Sequence, residues 1–198
     1  VNIVRDYFSK VYKEHMDMFE EINKDEELRL NISRTAEVLY GSIKQRGQIL
    51  LCGNGGSAAD AQHIATEFVS KFYLERKPIN AEAITVNTST LTAISNDYTY
   101  DRVFSRQVEA KAKKGDVLIG LSTSGNSINV IEAMKTAKEM GLATIAFTGR
   151  NKGSKISKFA DIQLNAPSDI TPRIQEAHIF IGHLICEIVE DTLFSSEK

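Results

Sequence analysis

The chain has 198 residues, 42% of them hydrophobic and 25% charged, an ordinary globular composition that fills one well-packed domain and excludes a disordered chain. Its 24 Lys and Arg against 26 Asp and Glu leave a formal net charge of −2, so no basic excess is present to hold a nucleic-acid backbone. Cys52 and Cys186 are too few for a disulfide scaffold, no stretch approaches about 18 consecutive apolar residues, and the first residues show no signal-peptide run; a cytoplasmic protein without a membrane span is expected.

Two amphipathic helices are predicted over residues 1–46. Tyr7, Phe8, Val11, Tyr12, Met16, Phe19 and Ile22 suit the first, and Leu28, Ile32, Ala36, Leu39, Tyr40 and Ile43 the second, with a polar break from Asn23 to Glu27. The aromatics of the first helix have no evident partner within one domain, so its apolar stripe is expected to face another subunit as well as the sheet.

From Gln48 the pattern becomes that of an α/β core, residues 47–198, with no linker or repeat; the whole chain, 1–198, reads as a single domain. Strands are predicted at Ile49–Cys52, Ala83–Val86, Val117–Leu121, Ala143–Phe147 and Asp161–Leu164. Helices are predicted from the glycine turn to about Phe72, over Thr88–Ile94, Phe104–Lys113, Ser127–Met140 and Ser154–Phe159, and over Arg173–Phe194. The implied fold is a three-layer open sheet of five mostly parallel strands, covered by helices on both faces, with the two N-terminal helices added.

Ligands of such sheets bind beyond the carboxyl ends of the strands. The first loop there is Gly53-Asn54-Gly55-Gly56-Ser57, whose glycines permit close backbone approach and whose polar side chains stand at a helix start that favours an anion. It lacks the Gly-Lys-Ser/Thr ending of a nucleotide P-loop, and Ala58 stands where the third glycine of a dinucleotide loop belongs, so no nucleotide cofactor is expected. The second loop is Ser122-Thr123-Ser124-Gly125-Asn126-Ser127. Its hydroxyls surround one glycine at a helix N-terminus, far more than a cap requires, and suit a phosphate monoester held by neutral donors.

His63 and Glu67 are four residues apart on a predicted helix, about 40° around its axis. Gln175 and His183, eight apart on the closing helix, could add an amide and a second imidazole. Two imidazoles and a carboxylate suit zinc or another divalent ion, and the same groups suit proton transfer; a surface ion pair and a buried histidine remain alternatives. His178 lies about 140° around the helix from His183 and reads as structural. Asn96, Asp97 and Asp169 offer groups for sugar hydroxyls, or helix caps. Both cysteines lack cationic neighbours and read as structural.

Taken together, Cys52-Gly53-Asn54-Gly55-Gly56-Ser57, His63-x-x-x-Glu67, Ser122-Thr123-Ser124-Gly125-Asn126-Ser127 and Arg173-Ile174-Gln175-Glu176-x-His178 through His183 resemble the bacterial phosphoheptose isomerases of the sugar-isomerase (SIS) domain family, over essentially the whole chain. The resemblance implies conversion of sedoheptulose 7-phosphate to D-glycero-D-manno-heptose 7-phosphate, the first step towards the heptose of lipopolysaccharide core or capsule. It implies a cytoplasmic homotetramer with interfacial active sites, Glu67 and His183 as the catalytic pair, and zinc held by His63, Glu67, Gln175 and His183. Substrate and phosphate contacts are implied for Asn54, Gly55, Gly56, Ser57, Asn96, Asp97, Ser122, Thr123, Ser124, Ser127, Asp169 and Gln175. Nucleic acid and membrane are not implied partners. Two alternatives stay open: a non-catalytic SIS-fold tetramer that binds the replication initiator, and an isomerase of another phosphosugar.

Overall fold

Strand β1 (Ile49–Gly53) is buried along its whole length, and its side chains alternate between two apolar layers. The computed structural model describes residues 2–195. With β1, the strands β2 (Ala81–Ala83), β3 (Val117–Leu121), β4 (Ala143–Thr148) and β5 (Ile162–Asn165) form one sheet in the order β2-β1-β3-β4-β5, every neighbouring pair parallel. The helices are α1 (Asn2–Lys24), α2 (Glu26–Lys44), α3 (Gly56–Val69), α4 (Thr88–Asp97), α5 (Ser105–Lys111), α6 (Ile128–Glu139) and α7 (Thr171–Phe194). Short 3₁₀ turns lie at Tyr100–Arg102 and Lys155–Lys158.

The two-residue period of the strands sorts the core. Ile49, Leu51, Val117, Ile119, Leu121, Ile145 and Phe147 pack beneath α2, α3 and α7. Leu50, Cys52, Leu118 and Ala146 pack on the other side with Val108 of α5 and Val130 and Met134 of α6. This is the expected three-layer arrangement, and no helix among the described residues is long and apolar enough to cross a membrane.

Several boundaries differ from the sequence reading, each for a local reason. The predicted break from Asn23 to Glu27 shrinks to Asp25, whose carboxylate accepts the Leu28 N–H at 2.9 Å and restarts the helix at once. Strand β2 is Ala81–Ala83 rather than Ala83–Val86: the ladder ends with the Ile84 N–H on Leu51, and Asn87 then caps α4 by accepting the Thr90 N–H. Helix α4 runs on to Asp97, so Asn96 and Asp97 form its last turn instead of following it.

Helix α3 stops at Val69, short of Phe72, because the next segment is fastened elsewhere. The Glu190 carboxylate on α7 accepts the N–H groups of Phe72 (3.1 Å), Tyr73 (2.7 Å) and Leu74 (3.0 Å) and the Arg76 Nε–H (2.8 Å). Arg76 also donates to the carbonyls of Phe68 at 2.9 Å and Glu67 at 2.8 Å, two of the groups that a helix end leaves without partners. Burial pushes the Glu190 carboxyl up, but these donors outweigh it and hold it below the usual carboxylate range.

Helix α1 rests on the molecule by its second half only. Met18 and Ile22 are buried, Phe19 stands edge-on to Phe180 at 5.1 Å, and His15 Nε2 lies 3.1 Å from Glu176; Val4, Tyr7, Phe8 and Tyr12 stay exposed.

His178 is wholly buried on α7 against Phe147. Its Nε2–H donates to the Thr148 carbonyl at 3.0 Å, while Nδ1 has no partner. Burial holds the imidazole neutral and pulls its pKa from 6.5 down to about 4, opposed by the hydrogen bond to Thr148. The unfolded chain therefore takes up a proton below pH 6.5 that the fold refuses until about pH 4, and stability falls across that interval. Urea unfolding at pH 7 and pH 5 should show about 2 kcal/mol of loss through this group. His178→Gln, which can still donate to Thr148, should lose correspondingly less between the two pH values; equal pH slopes would exclude this role.

Candidate active site

The strand order reverses between β1 and β3, and the crevice at that switch point is flanked by the glycine loop and the hydroxyl-rich loop. At the first, Gly55 has φ +57°, a value L side chains rarely adopt, and Gly53 lies so close to Ser57 that a Cβ would come within 2.6 Å of its carbonyl oxygen. The turn brings Asn54 over the end of β3, where its amide pairs with that of Asn129: each donates to the other at 2.9 Å. The Tyr100 hydroxyl donates to the same Asn54 oxygen at 3.0 Å.

At the second loop, Ser122 is buried and donates its hydroxyl to Ser127 Oγ at 3.0 Å, and Ser124 Oγ accepts the Asn126 N–H. Ser127 stands at the N-cap of α6 without using its side chain to cap it. Thr123 and Ser124 line a cleft of about 260 Å³ together with Asn126, Arg150, Ser168, Asp169 and Thr171. Asp169 is exposed there, 3.6 Å from Arg150, which also pairs with Glu21 at 2.9 Å.

The acid–base candidates lie along α3 and α7, which run parallel because both return across the same sheet face. A Cβ on Gly182 would come within 2.5 Å of Ile64, so glycine there permits the close approach of the two helices. At that level His63 Nε2 lies 2.8 Å from His183 Nε2 and 3.2 Å from Glu67 Oε1, and ligand atoms of all three residues lie within 4.8 Å of one another. His63 is half exposed, whereas Glu67 and His183 are partly buried. The Phe72 ring stands 5.7 Å from that of His183. Asp60, one turn before His63, has a buried Oδ2 without a partner; burial raises its pKa to about 6, against the pull of His63.

Three of the four expected metal ligands thus converge, and two imidazole nitrogens with a carboxylate oxygen are a donor set that suits a divalent cation. Gln175 is placed two turns earlier on α7, about 12 Å along the axis from His183. Its amide packs on Gly56, where a Cβ would meet it at 2.5 Å. Asn96 and Asp97 are exposed at the end of α4, hydrogen-bonded to each other at 2.9 Å.

Asn129, Tyr100, Phe72 and Arg150 were not candidates from sequence. Asn129 alone left a trace, a polar residue at a position of α6 that the helical period assigns to the core; the others are brought in by loops whose course no periodicity records.

The SIS domain family matches residues 10–149 of the chain. The phosphoheptose isomerase of Clostridium acetobutylicum is 50% identical over 194 residues, 98% of each chain. That of Aneurinibacillus thermoaerophilus is 46% identical over 194 residues, again 98% of each. The solved structure of the phosphoheptose isomerase from Neisseria gonorrhoeae matches with a TM-score of 0.88 at 43% identity, over 95% of this chain and 99% of that one. The Francisella tularensis enzyme matches with a TM-score of 0.89 at 31% identity, over 95% and 98%. With a parallel SIS-type sheet, a hydroxyl-rich loop at its switch point and a His/Glu/His cluster on the helices beside it, the chain belongs to the phosphoheptose isomerase family of SIS-domain enzymes.

Proposed function

We propose that this chain interconverts sedoheptulose 7-phosphate and D-glycero-D-manno-heptose 7-phosphate, with Glu67 and His183 as its acid–base pair. The observation that carries this reading is the convergence of His63, Glu67 and His183 on adjoining helices of a phosphosugar-isomerase fold. Ketose-to-aldose conversion moves one proton from C1 to C2 and a second from O1 to O2 through an enediol. Glu67 takes the C1 proton and returns it at C2; His183 protonates O2 and then receives the O1 proton. The hydroxyls of Ser57, Ser122, Thr123, Ser124 and Ser127 hold the phosphate, aided by the N-terminus of α6. Asn54, Asn96, Asp97, Asp169 and Gln175 serve the sugar hydroxyls.

His63, Glu67 and His183 are also the residues that would hold one zinc ion per subunit, which would polarise the substrate oxygens when bound; the fourth expected ligand, Gln175, lies too far along α7 to join them. We further propose a cytoplasmic homotetramer with active sites between subunits. The exposed Tyr7, Phe8 and Tyr12 of α1 support association.

Incubation with sedoheptulose 7-phosphate in deuterated water should yield heptose 7-phosphate carrying deuterium at C2 wherever Glu67 exchanges with solvent; absence of product, with and without zinc, would overturn the assignment. Glu67→Gln keeps the side chain's shape but removes the base, so kcat should fall by at least about 10²-fold. Ser124→Ala removes a donor that binds ground and transition states alike, so it should mainly raise KM. Protein purified without chelator or affinity metal should contain about one zinc per chain by elemental analysis. Light scattering should return four times the chain mass, and a monomer at micromolar concentration would exclude the interfacial site.

A further inference from the structure

Arg76 and Glu190 form an ion pair whose side chains are 2% and 3% exposed, far from both sheet loops. A buried pair is a poor source of stability, because desolvation offsets most of its attraction and well-packed apolar residues serve as well. What apolar residues cannot supply is direction. Every acceptor that Arg76 reaches on α3 belongs to the turn carrying Glu67, including the Glu67 carbonyl itself. Three of the donors that Glu190 gathers belong to the segment that lays the Phe72 ring beside His183. Glu190 in turn lies two helical turns beyond His183 on α7, so the pair bolts the end of one catalytic helix to the other.

We propose that Arg76 and Glu190 are positioning residues for proton transfer, fixing the last turn of α3 and the Phe72 segment so that Glu67 and His183 keep their mutual geometry. Neither touches substrate. Their loss should slow turnover, because general acid–base transfer depends on sub-ångström placement, while binding through the hydroxyl-rich loop is left alone. The role rests on the assignment of Glu67 and His183 made above.

The test compares kcat and KM in a direct heptose-product assay, below the unfolding midpoint of each variant. Glu190→Gln should lower kcat about 10- to 100-fold with KM within about threefold of wild type. Arg76→Lys keeps the charge opposite Glu190 but cannot span both α3 carbonyls, and should lose less. In a Glu67→Gln background, Glu190→Gln should cost less than about threefold, because the group it positions has gone. Wild-type kcat in folded Glu190→Gln, or the same fold-loss in both backgrounds, would overturn the proposal. Should Glu190→Gln fail to fold, Phe72→Leu, a partly exposed side chain outside the buried pair, carries the test. It should lower kcat several-fold at unchanged KM, and wild-type kcat there would overturn the proposal. Wild-type turnover in Glu67→Gln alone would instead refute the acid–base assignment, a separate and distinguishable failure.

Discussion

The close, parallel packing of α7 on α3 is the contact on which the candidate chemistry depends. Gly182 lets the two helices approach until Ile64 fills the space a side chain would have taken, and Gly56 does the same beneath Gln175. At that separation the imidazoles of His63 and His183 come within 2.8 Å of each other. A β-carbon at Gly182 would meet the buried Ile64 side chain at 2.5 Å, so that side chain would have to repack between the two helices beside the cluster. The parallel sense follows from the sheet: both helices return from the carboxyl edge across one face.

The proposed phosphate end would be built on different physics. The two loops present hydroxyls and backbone N–H groups at the switch point, beside a positive-φ glycine and the paired amides of Asn54 and Asn129. Neutral donors at a helix start bind a phosphate dianion without requiring a buried cation, which avoids the desolvation a buried lysine or arginine would meet. The guanidinium that lines the Thr123–Ser124 cleft, Arg150, is already shared between Glu21 and Asp169 at the surface. A buried ion pair is placed elsewhere, between Arg76 and Glu190, where it secures the end of α3. The hydroxyl-rich loop and the His/Glu/His cluster thus rest on separate structural supports.

The histidines show how environment separates chemically identical residues. His178 is sealed against Phe147, keeps one nitrogen on the Thr148 carbonyl and is held neutral by burial. His183, five residues on along the same helix, faces α3 and meets His63 instead. His15 faces Glu176 on the surface of α7 and helps seat α1.

Much of this was legible in the sequence, because it is local. Alternating apolar runs ending in glycine- and serine-rich turns determine a parallel α/β sheet, and the period of an α-helix alone puts His63 beside Glu67 and turns His178 away from His183. Boundaries that depend on distant partners were not legible. The end of α3 is set by Arg76 and Glu190, more than 100 residues apart, and the edge strand β2 stops where the chain turns towards the Asn87 cap. The meeting of His63 with His183, the Asn54–Asn129 amide pair and the placement of Phe72 on His183 were likewise decided only by tertiary structure. Periodicity fixes which face of a helix a residue occupies, whereas the neighbour that face meets depends on how closely two backbones approach, and here that distance is set by the missing side chain of Gly182.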